Sequence, residues 1–202
     1  EVRPGAHYTM GGIRVDESAS ADAIKARKPV RGLFAAGQAM GGVFGANRLG
    51  STSLSEGAIF GARAGLKAAE LSVRRRSASE KGLSGEFEKL LESYQQVFGQ
   101  GGDRSGSGMI RKLQKAAWDS IGPARTQEGL KNFLSQLKVF RMEAEEIGVS
   151  DDSIWNQSFI DYVEFVNMLD TAEAVAVSAL ERKNSLGAHI RLDGGKTSVL
   201  FG

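Results

Sequence analysis

The sequence contains no cysteine, and its 202 residues include only two histidines. The absence of cysteine excludes disulfides, thiolate metal sites and cysteine nucleophiles, and it removes any redox signal of the cellular compartment. His7 and His189 are too few for a histidine-rich metal site. We therefore expect no metal centre in this chain.

Long apolar runs and an excess of one charge are also absent. No stretch approaches the roughly 20 consecutive apolar residues that span a bilayer. The 26 basic and 24 acidic side chains give a net charge of +2, with 41% apolar and 25% charged residues. This balance argues against a nucleic-acid-binding protein, which would concentrate lysine and arginine on one face. The composition is that of an ordinary globular protein with room for one large or two small domains.

Two features that open many enzyme chains are missing as well. The first residues, Glu1–Gly5, include no initiator methionine and no signal-peptide pattern. The glycine-rich dinucleotide fingerprint, with its strand, helix and acidic ribose ligand, does not occur. The glycine runs at 99–102 and 106–108 lie between helical patterns, and we predict that they form a loop. We expect the chain to be a piece of a longer protein.

The composition changes near residue 72. Before it, glycine and alanine are dense, and short apolar runs alternate with turns. Gly11–Asp16 and Val30–Gly37 are predicted as strands, and a helix is predicted from Ser51 or Thr52 to about Ser72. The stretch at about 72–86 predicts a linker. We interpret its arginine run as a solvated helix end that complements the dipole, rather than as an anion site.

Three glycines share one face of this first predicted helix. Gly57, Gly61 and Gly65 are spaced by four residues. Each costs about 1 kcal/mol relative to alanine inside a helix. Close approach of another backbone would explain the cost, so we predict that this face packs tightly on a sheet. The charged neighbours Glu56 and Arg63 argue against a membrane dimer face.

Helical periodicity dominates the second part of the chain. Apolar stripes with helical spacing occur at Phe87–Tyr94, Ile110–Ala117 and Leu130–Leu137. Ser150–Asp152 predicts the N-cap of a helix that carries Trp155 and Phe159, and a last helix is predicted from Asp161 or Asn167 to Arg182. The pattern is typical of a small helical bundle, with the aromatic stripe as core.

Four short segments do not look like ordinary packing. They are HYTMGG at 7–12, GLFAAGQ at 32–38, GANRLGSTSL at 45–54 and LGAHIR at 186–191. In this order they resemble the succinate dehydrogenase, fumarate reductase and L-aspartate oxidase flavoproteins, which carry HYxMGG, GLFAxGE, HGANRLGxNSL and RGAHxR. One such motif alone is weak, whereas four in the same order are specific and cover both parts of the chain.

The resemblance implies an α+β fold, in which the C-terminal segment of a Rossmann-like FAD-binding domain precedes a helical-bundle domain. Residues 1–73 are expected to complete the FAD-binding domain, with the capping-domain junction at their start, residues 74–189 to form the helical domain and 190–202 a tail. The implied activity is FAD-dependent interconversion of a dicarboxylate such as succinate and fumarate by hydride transfer. Without the upstream half, we expect this chain to bind FAD poorly and to be inactive.

Arg48 is the predicted substrate clamp. A dicarboxylate needs cationic donors shielded from water, and arginine grips a carboxylate with two parallel hydrogen bonds that lysine cannot reproduce. In the resembled family the matching arginine binds the substrate carboxylate, and the histidine that matches His7 helps to hold the substrate over the flavin. His189 and Arg191, in the fourth motif, are expected at a site or at a subunit contact.

Four residues are expected to contact FAD. Gly37 lets the backbone approach the cofactor without a side chain. The family has glutamate at the next position, where it is implied to bind ribityl or ribose hydroxyls, and here the residue is Gln38. By resemblance, Ser53 and Leu54 contact the cofactor at the start of the predicted helix, where free N–H groups and the dipole favour the anionic reduced flavin.

Two departures from the family motifs concern the substrate. Phe44 replaces the histidine before GANRLG, and Leu186 replaces the arginine before GAH. The alternatives to succinate and fumarate interconversion are L-aspartate oxidase-like or other enoate reductase chemistry, and a non-catalytic helical interaction module.

The resemblance also implies partners and a location. The partners are the N-terminal FAD-binding half of the flavoprotein, the dicarboxylate and an iron–sulfur subunit that exchanges electrons, whereas nucleic acid is not expected. The implied location is cytoplasmic, peripheral to the cytoplasmic membrane through partner subunits.

Overall fold

The chain forms two compact units, Glu1–Ala78 and Ser79–Gly202. A computed structural model describes residues 7–23, 28–74, 80–152 and 154–194. The described part of the first unit consists mainly of short strands and one long helix, and that of the second consists mainly of helices. This mixture confirms the expected α+β class, whereas the domain bounds at 73 and 189 stay predictions.

The described part of the first unit contains four strands, β1 (Ile13–Arg14), β2 (Ser20–Ala23), β3 (Lys28–Phe34) and β4 (Met40–Gly41). Strands β2 and β3 are antiparallel, and β1 and β4 are parallel. The parallel pair requires glycine, because a Cβ added at Gly12 would stand 2.5 Å from the carbonyl oxygen of Ala39. Both predicted strands are confirmed, the first with shorter bounds and the second shifted towards the N-terminus, from Lys28 to Phe34.

Helix α1 (Thr52–Arg74) confirms the first predicted helix and extends it beyond Ser72. The predicted close packing of its glycine face is not found among the described residues. A Cβ added at Gly57, Gly61 or Gly65 would meet nothing within 4 Å. Among the described residues, no backbone or side chain covers this face, so the propensity lost at the three glycines is not offset by packing within this part of the chain.

Helix α2 (Glu80–Gln95) begins inside the stretch predicted as a linker. Because α1 reaches Arg74 and α2 already contains Gly82 and Gly85, the linker prediction for 72–86 is wrong at both ends. A helix accommodates each glycine at a cost of about 1 kcal/mol. The rest of the arginine run, Arg75 and Arg76, lies outside the described residues.

Helices α3 (Gly106–Ile121), α4 (Gln127–Ala144) and α5 (Gln157–Glu181) form a bundle. Their facing sides bury an apolar core that includes Met109, Leu113, Phe133, Leu137, Phe165 and Leu169. Glycine permits the approach of α3 to α5, because a Cβ added at Gly106 would stand 2.7 Å from the Asp161 Cβ. The predicted helical bundle is confirmed.

Side-chain caps decide where these helices begin, and two predictions fail for this reason. Ser105 accepts a hydrogen bond from the Gly108 amide, so the glycines at 106–108 form the first turn of α3 and not a loop. Asn156 caps α5 in the same way, and Ser150–Asp152 lies before the helix. One continuous helix, α5, replaces the two predicted helices.

The predicted apolar stripes differ in burial. The stripes of α3 and α4 lie in the core, but Phe87 and Leu90 of α2 are 62% and 51% exposed. In the aromatic stripe, Phe159 packs against the core, whereas Trp155 is 94% exposed. Trp155 precedes α5 in a left-handed conformation with φ of 56°. The core prediction is therefore wrong for Trp155, and the stripe of α2 is largely exposed.

A short parallel sheet joins two distant parts of the second unit, β5 (Ala124–Arg125) and β6 (Ile190–Arg191). The Leu192 amide continues the pairing by donating to the carbonyl of Arg125 at 2.8 Å. The first residues of the predicted tail, from 190 to 194, therefore pack on the helical unit. Within the described ranges, no helix has the length and apolarity that crossing a bilayer requires.

The bundle core predicts a position-dependent stability. Leu137 is 2% exposed and Val139 in the same helix is 55% exposed. We expect Leu137→Ala to lower the free energy of unfolding by about 2–5 kcal/mol, because it removes buried methyl groups and leaves a cavity. Val139→Ala should change it by less than about 0.5 kcal/mol. Urea unfolding of a protein that contains this chain measures both, and equal losses would contradict the assigned core.

Candidate functional site

A buried carboxylate joins three segments of the first unit. Glu56, in α1, is 4% exposed. Its Oε1 accepts a hydrogen bond from the Gly37 amide at 2.9 Å, and its Oε2 accepts one from the Tyr8 hydroxyl at 3.1 Å. Glu56 thereby ties the HYTMGG segment and the turn after β3 to α1.

Sequence reasoning missed this role of Glu56. The available signal was helical periodicity, because Phe60 and Ala64 follow Glu56 at four-residue spacing on the less exposed side of α1. A carboxylate on such a stripe is unusual, since a buried charge needs hydrogen-bonding partners.

The guanidinium of Arg48 lies against the segment that contains His7. Its Cζ is 4.8 Å from the centroid of the Tyr8 ring, and its NH1 donates to Ser53 Oγ at 2.8 Å. Phe44, at the position where the family motif has histidine, contacts the same tyrosine edge to face at 5.5 Å. His7 itself is exposed.

A buried donor of Arg48 is without a hydrogen-bond partner in the described part of the chain. Among the described residues, Arg48 Nε is buried and has no hydrogen-bond partner. Leaving a buried donor of a charged group unpaired costs about 1–3 kcal/mol or more. A carboxylate pairs with guanidinium through two parallel hydrogen bonds. The arrangement therefore fits an anionic ligand with two oxygens.

Tyr8 lies between a cation and an anion. Partial burial raises the pKa of the Tyr8 phenol, the hydrogen bond and charge of Glu56 raise it further, and the charge of Arg48 lowers it. The phenol is therefore protonated at neutral pH, and its proton is directed at Glu56 rather than at a ligand.

The residues predicted to contact FAD lie around the start of α1. Gly37 has φ of 68°, and a Cβ added to it would meet nothing within 4 Å. Leu54 is 80% exposed, and Gln38 is exposed, with its amide 3.5 Å from Thr9 Oγ1. The first turn of α1 carries no acidic residue, so its N–H groups and dipole present positive charge. An open backbone beside these donors fits a flavin edge.

The structure thus unites most of the predicted site. Glu56 links Gly37 to the segment of His7, and Arg48 is bonded to Ser53. The individual roles of these residues in substrate and cofactor binding stay predictions.

His189 and Arg191 lie in the second unit with partners of their own. His189 is 9% exposed, its Nδ1 is 2.7 Å from Arg125 NH1, and its Nε2 is 3.2 Å from the carbonyl of Arg182. Burial, above all, lowers the pKa of His189, and the surrounding arginines add to this. The neutral ring therefore accepts from Arg125 and donates to the carbonyl.

Arg191 completes this cluster. It is 5% exposed, and it donates to the Arg182 carbonyl at 3.0 Å and to Asp193 Oδ1 at 2.9 Å. These bonds hold the end of α5 against β6. A role at a site or a subunit contact stays a prediction for both His189 and Arg191.

Comparison with known proteins agrees with both units. Residues 1–54 match the family described as FAD binding domain, and residues 110–197 match the family described as fumarate reductase flavoprotein C-term. The chain is 34% identical to a fumarate reductase flavoprotein subunit of Haemophilus influenzae, over 95% of this chain and 31% of that protein. It is 35% identical to a succinate dehydrogenase flavoprotein subunit of Rickettsia bellii, over 95% of this chain and 33% of that protein.

Solved structures give the same result. An E. coli quinol fumarate reductase chain superposes with a TM-score of 0.86 at 32% identity, covering 99% of this chain and 34% of that chain. A chain of the Mycobacterium smegmatis Sdh1 complex superposes with a TM-score of 0.81 at 31% identity, covering 95% and 31%.

Fold, site and matches together define a segment of an FAD-binding flavoprotein. It belongs to the family of fumarate reductase and succinate dehydrogenase flavoprotein subunits, as the four motifs indicated. The chain spans about a third of the length of the curated relatives it matches, with 31% and 33% of two of them covered.

The Arg191–Asp193 pair predicts a pH dependence of stability. The hydrogen bond from Arg191, with a further one from the Gln127 amide, lowers the pKa of Asp193 to about 2. Because the folded pKa lies below the unfolded one, the stabilisation is present above about pH 4 and is lost as the pH falls towards 2. In Asp193→Asn, the free energy of unfolding should therefore decrease less over this range. Urea unfolding at several pH values measures it, with exposed Asp119→Asn as the control, and an unchanged slope in Asp193→Asn would contradict the pairing.

Proposed function

We propose that this chain is the C-terminal portion of an FAD-dependent flavoprotein subunit that interconverts succinate and fumarate. The observation that carries the proposal is the state of Arg48. Its guanidinium is packed on Tyr8, bonded to Ser53 and left with an unpaired buried donor, all at the start of α1. The names of the relatives, fumarate reductase and succinate dehydrogenase flavoprotein subunits, supply the substrates.

In the proposed reaction, Arg48 holds one carboxylate of the substrate and His7 helps to hold the molecule beside the flavin. A fixed guanidinium orients the dicarboxylate, and such positioning can supply several kcal/mol of the barrier reduction, about 7 or more in favourable cases. Partial exclusion of water strengthens the ion pair, because charges interact more strongly at low dielectric.

The cofactor edge of the proposed site consists of Gly37, Gln38, Ser53 and Leu54. Bound FAD would supply the two-electron chemistry, accepting a hydride from succinate as succinate also releases a proton, or donating a hydride to fumarate as a proton is added to the other carbon. Gly37 would allow close approach of the backbone, Gln38 would bond sugar or ribityl hydroxyls, and the N–H groups at the start of α1 would favour negative charge on the reduced ring.

Partner subunits are part of the proposal. The similar solved chains come from a quinol fumarate reductase and from the Sdh1 complex, so we infer that this flavoprotein also assembles with further subunits. An iron–sulfur subunit is the proposed electron partner. The proposed location is cytoplasmic, at the membrane surface through these subunits. These inferences rest on family analogy.

Replacing the clamp tests the activity. We expect Arg48→Lys, in the intact flavoprotein that contains this chain, to lower kcat/KM for succinate by at least about 100-fold. Lysine cannot form the two parallel bonds, and hydrogen bonds to charged groups contribute about 1.5–3 kcal/mol each. Flavin content, measured by absorbance of the purified protein, should be unchanged. Steady-state kinetics measures the effect.

The matched control is Arg63→Lys. Arg63 also lies over an aromatic ring, with its Cζ 5.1 Å from the Phe60 centroid, but it is exposed and away from the start of α1. It should leave kcat/KM within about twofold, as is usual for surface substitutions. Equal kinetics for Arg48→Lys and Arg63→Lys would contradict the clamp, and oxidation of aspartate in place of succinate by the unsubstituted enzyme would contradict the substrate.

A pair of glycines tests the cofactor edge. Gly37 and Gly42 both have positive φ, 68° and 107°, and neither has an atom within 4 Å of an added Cβ. Alanine at either position strains the backbone by about 1–2 kcal/mol. Only Gly37→Ala places a methyl group against the proposed flavin edge, so it should lower flavin content more than Gly42→Ala. Flavin-to-protein ratios after purification measure this, and equal ratios would remove Gly37 from the proposed edge.

A further inference from the structure

We propose that Glu56 is a positioning residue that sets the orientation of Arg48 through Tyr8. The inference rests on the proposed function, because the consequence it predicts is weaker dicarboxylate binding. It starts from the unusual state of the Glu56 carboxylate. The residue is 4% exposed, and both of its oxygens accept hydrogen bonds from uncharged groups, the Gly37 amide and the Tyr8 hydroxyl.

Burying a carboxylate in this way is costly. A charge removed from water is stabilised best by an opposite charge, and Glu56 forms no ion pair among the described residues. An apolar side chain would fill the same space in α1 without that cost. The carboxylate therefore serves the two donors that it binds, and these lie in two of the motifs that build the candidate site.

The first hydrogen bond of the Glu56 carboxylate holds the ring of Tyr8. The bond from the Tyr8 hydroxyl to Oε2 fixes the position of the phenol oxygen, and the edge-to-face contact with Phe44 supports the same ring. The guanidinium of Arg48 lies over this ring at 4.8 Å from its centroid. A cation over an aromatic face is attracted by the quadrupole of the ring, so a fixed ring holds the cation.

The second hydrogen bond of the Glu56 carboxylate holds the turn at Gly37. The bond from the Gly37 amide to Oε1 holds a residue whose φ is 68°. Tyr8 and Gly37 are thus both held by the carboxylate of Glu56. In this arrangement the dicarboxylate clamp and the flavin edge share one support, and a change at Glu56 reaches both.

Two variants in the intact flavoprotein test the hydrogen bond between Tyr8 and Glu56. Tyr8→Phe removes only the hydroxyl that donates a hydrogen bond to Glu56. Glu56→Gln replaces one carboxylate oxygen with an amide nitrogen, which donates hydrogen bonds instead of accepting them. We expect each variant to raise KM for succinate by about tenfold or more, and to raise KM more than it lowers kcat, because a hydrogen bond to a charged group changes an equilibrium by about that factor. The double variant should be no worse than the more affected single variant, because both remove the same interaction.

The matched control is Glu70→Gln, the same chemical change in the same helix. Glu70 is exposed and pairs with Lys67 at 3.0 Å. This variant should leave KM and flavin content within about twofold of the unsubstituted protein, as surface substitutions usually do.

Malonate binding, measured by the change that it causes in the flavin absorbance, distinguishes failure of the proposed function from failure of the proposed role of Glu56. If the unsubstituted flavoprotein neither binds malonate nor oxidises succinate, the proposed function fails, and this role of Glu56 fails with it. If it binds malonate and both variants bind within about twofold of it, only the role of Glu56 fails. A lower Tm in Glu56→Gln with unchanged malonate affinity would also overturn the role. Should Glu56→Gln not fold, the malonate affinity of Tyr8→Phe decides alone.

Discussion

The first unit depends on one requirement: the buried carboxylate of Glu56 must receive hydrogen bonds from protein groups in place of water. Its two hydrogen bonds bring together segments that are 19 and 48 residues away in the chain, at Gly37 and Tyr8. The strands of this unit are short and bury little, so these polar bonds carry much of its organisation. A buried carboxylate is costly when one of its donors is removed, and the geometry around it is therefore narrowly defined.

Arg48 is held by contacts of a different kind. Aromatic contact with Tyr8 and a bond to Ser53 fix the guanidinium, and Nε remains without a partner. A cation held in this way is oriented before a ligand arrives, which reduces the ordering cost on binding. In Arg48, NH1 thus holds the local structure through Ser53, whereas Nε is left for a ligand.

Much of this was predictable from the sequence. The order of the motifs placed Arg48, Gly37 and Ser53 in one family pattern. Periodicity gave α3 and α4, whose apolar positions are buried, whereas α1 was predicted although most of its large apolar side chains are exposed. Prediction failed where a single side chain decides the outcome. Asn156 sets the start of α5 by a cap that composition did not reveal, and Glu56 is buried only because Tyr8 and Gly37 meet it in three dimensions. The stripe of α2 has helical spacing, but spacing alone does not determine what covers a helix.

The pairing of β5 with β6 has a consequence for how the second unit opens. The strand after α5 is bonded to the connection between α3 and α4, and Arg191 bonds back to the end of α5. Separating these strands exposes the His189–Arg125 contact and the Asp193 bond to Gln127 at the same time. We therefore expect local opening to involve the interhelical connection and this strand as one cooperative unit, whose amides exchange hydrogen together.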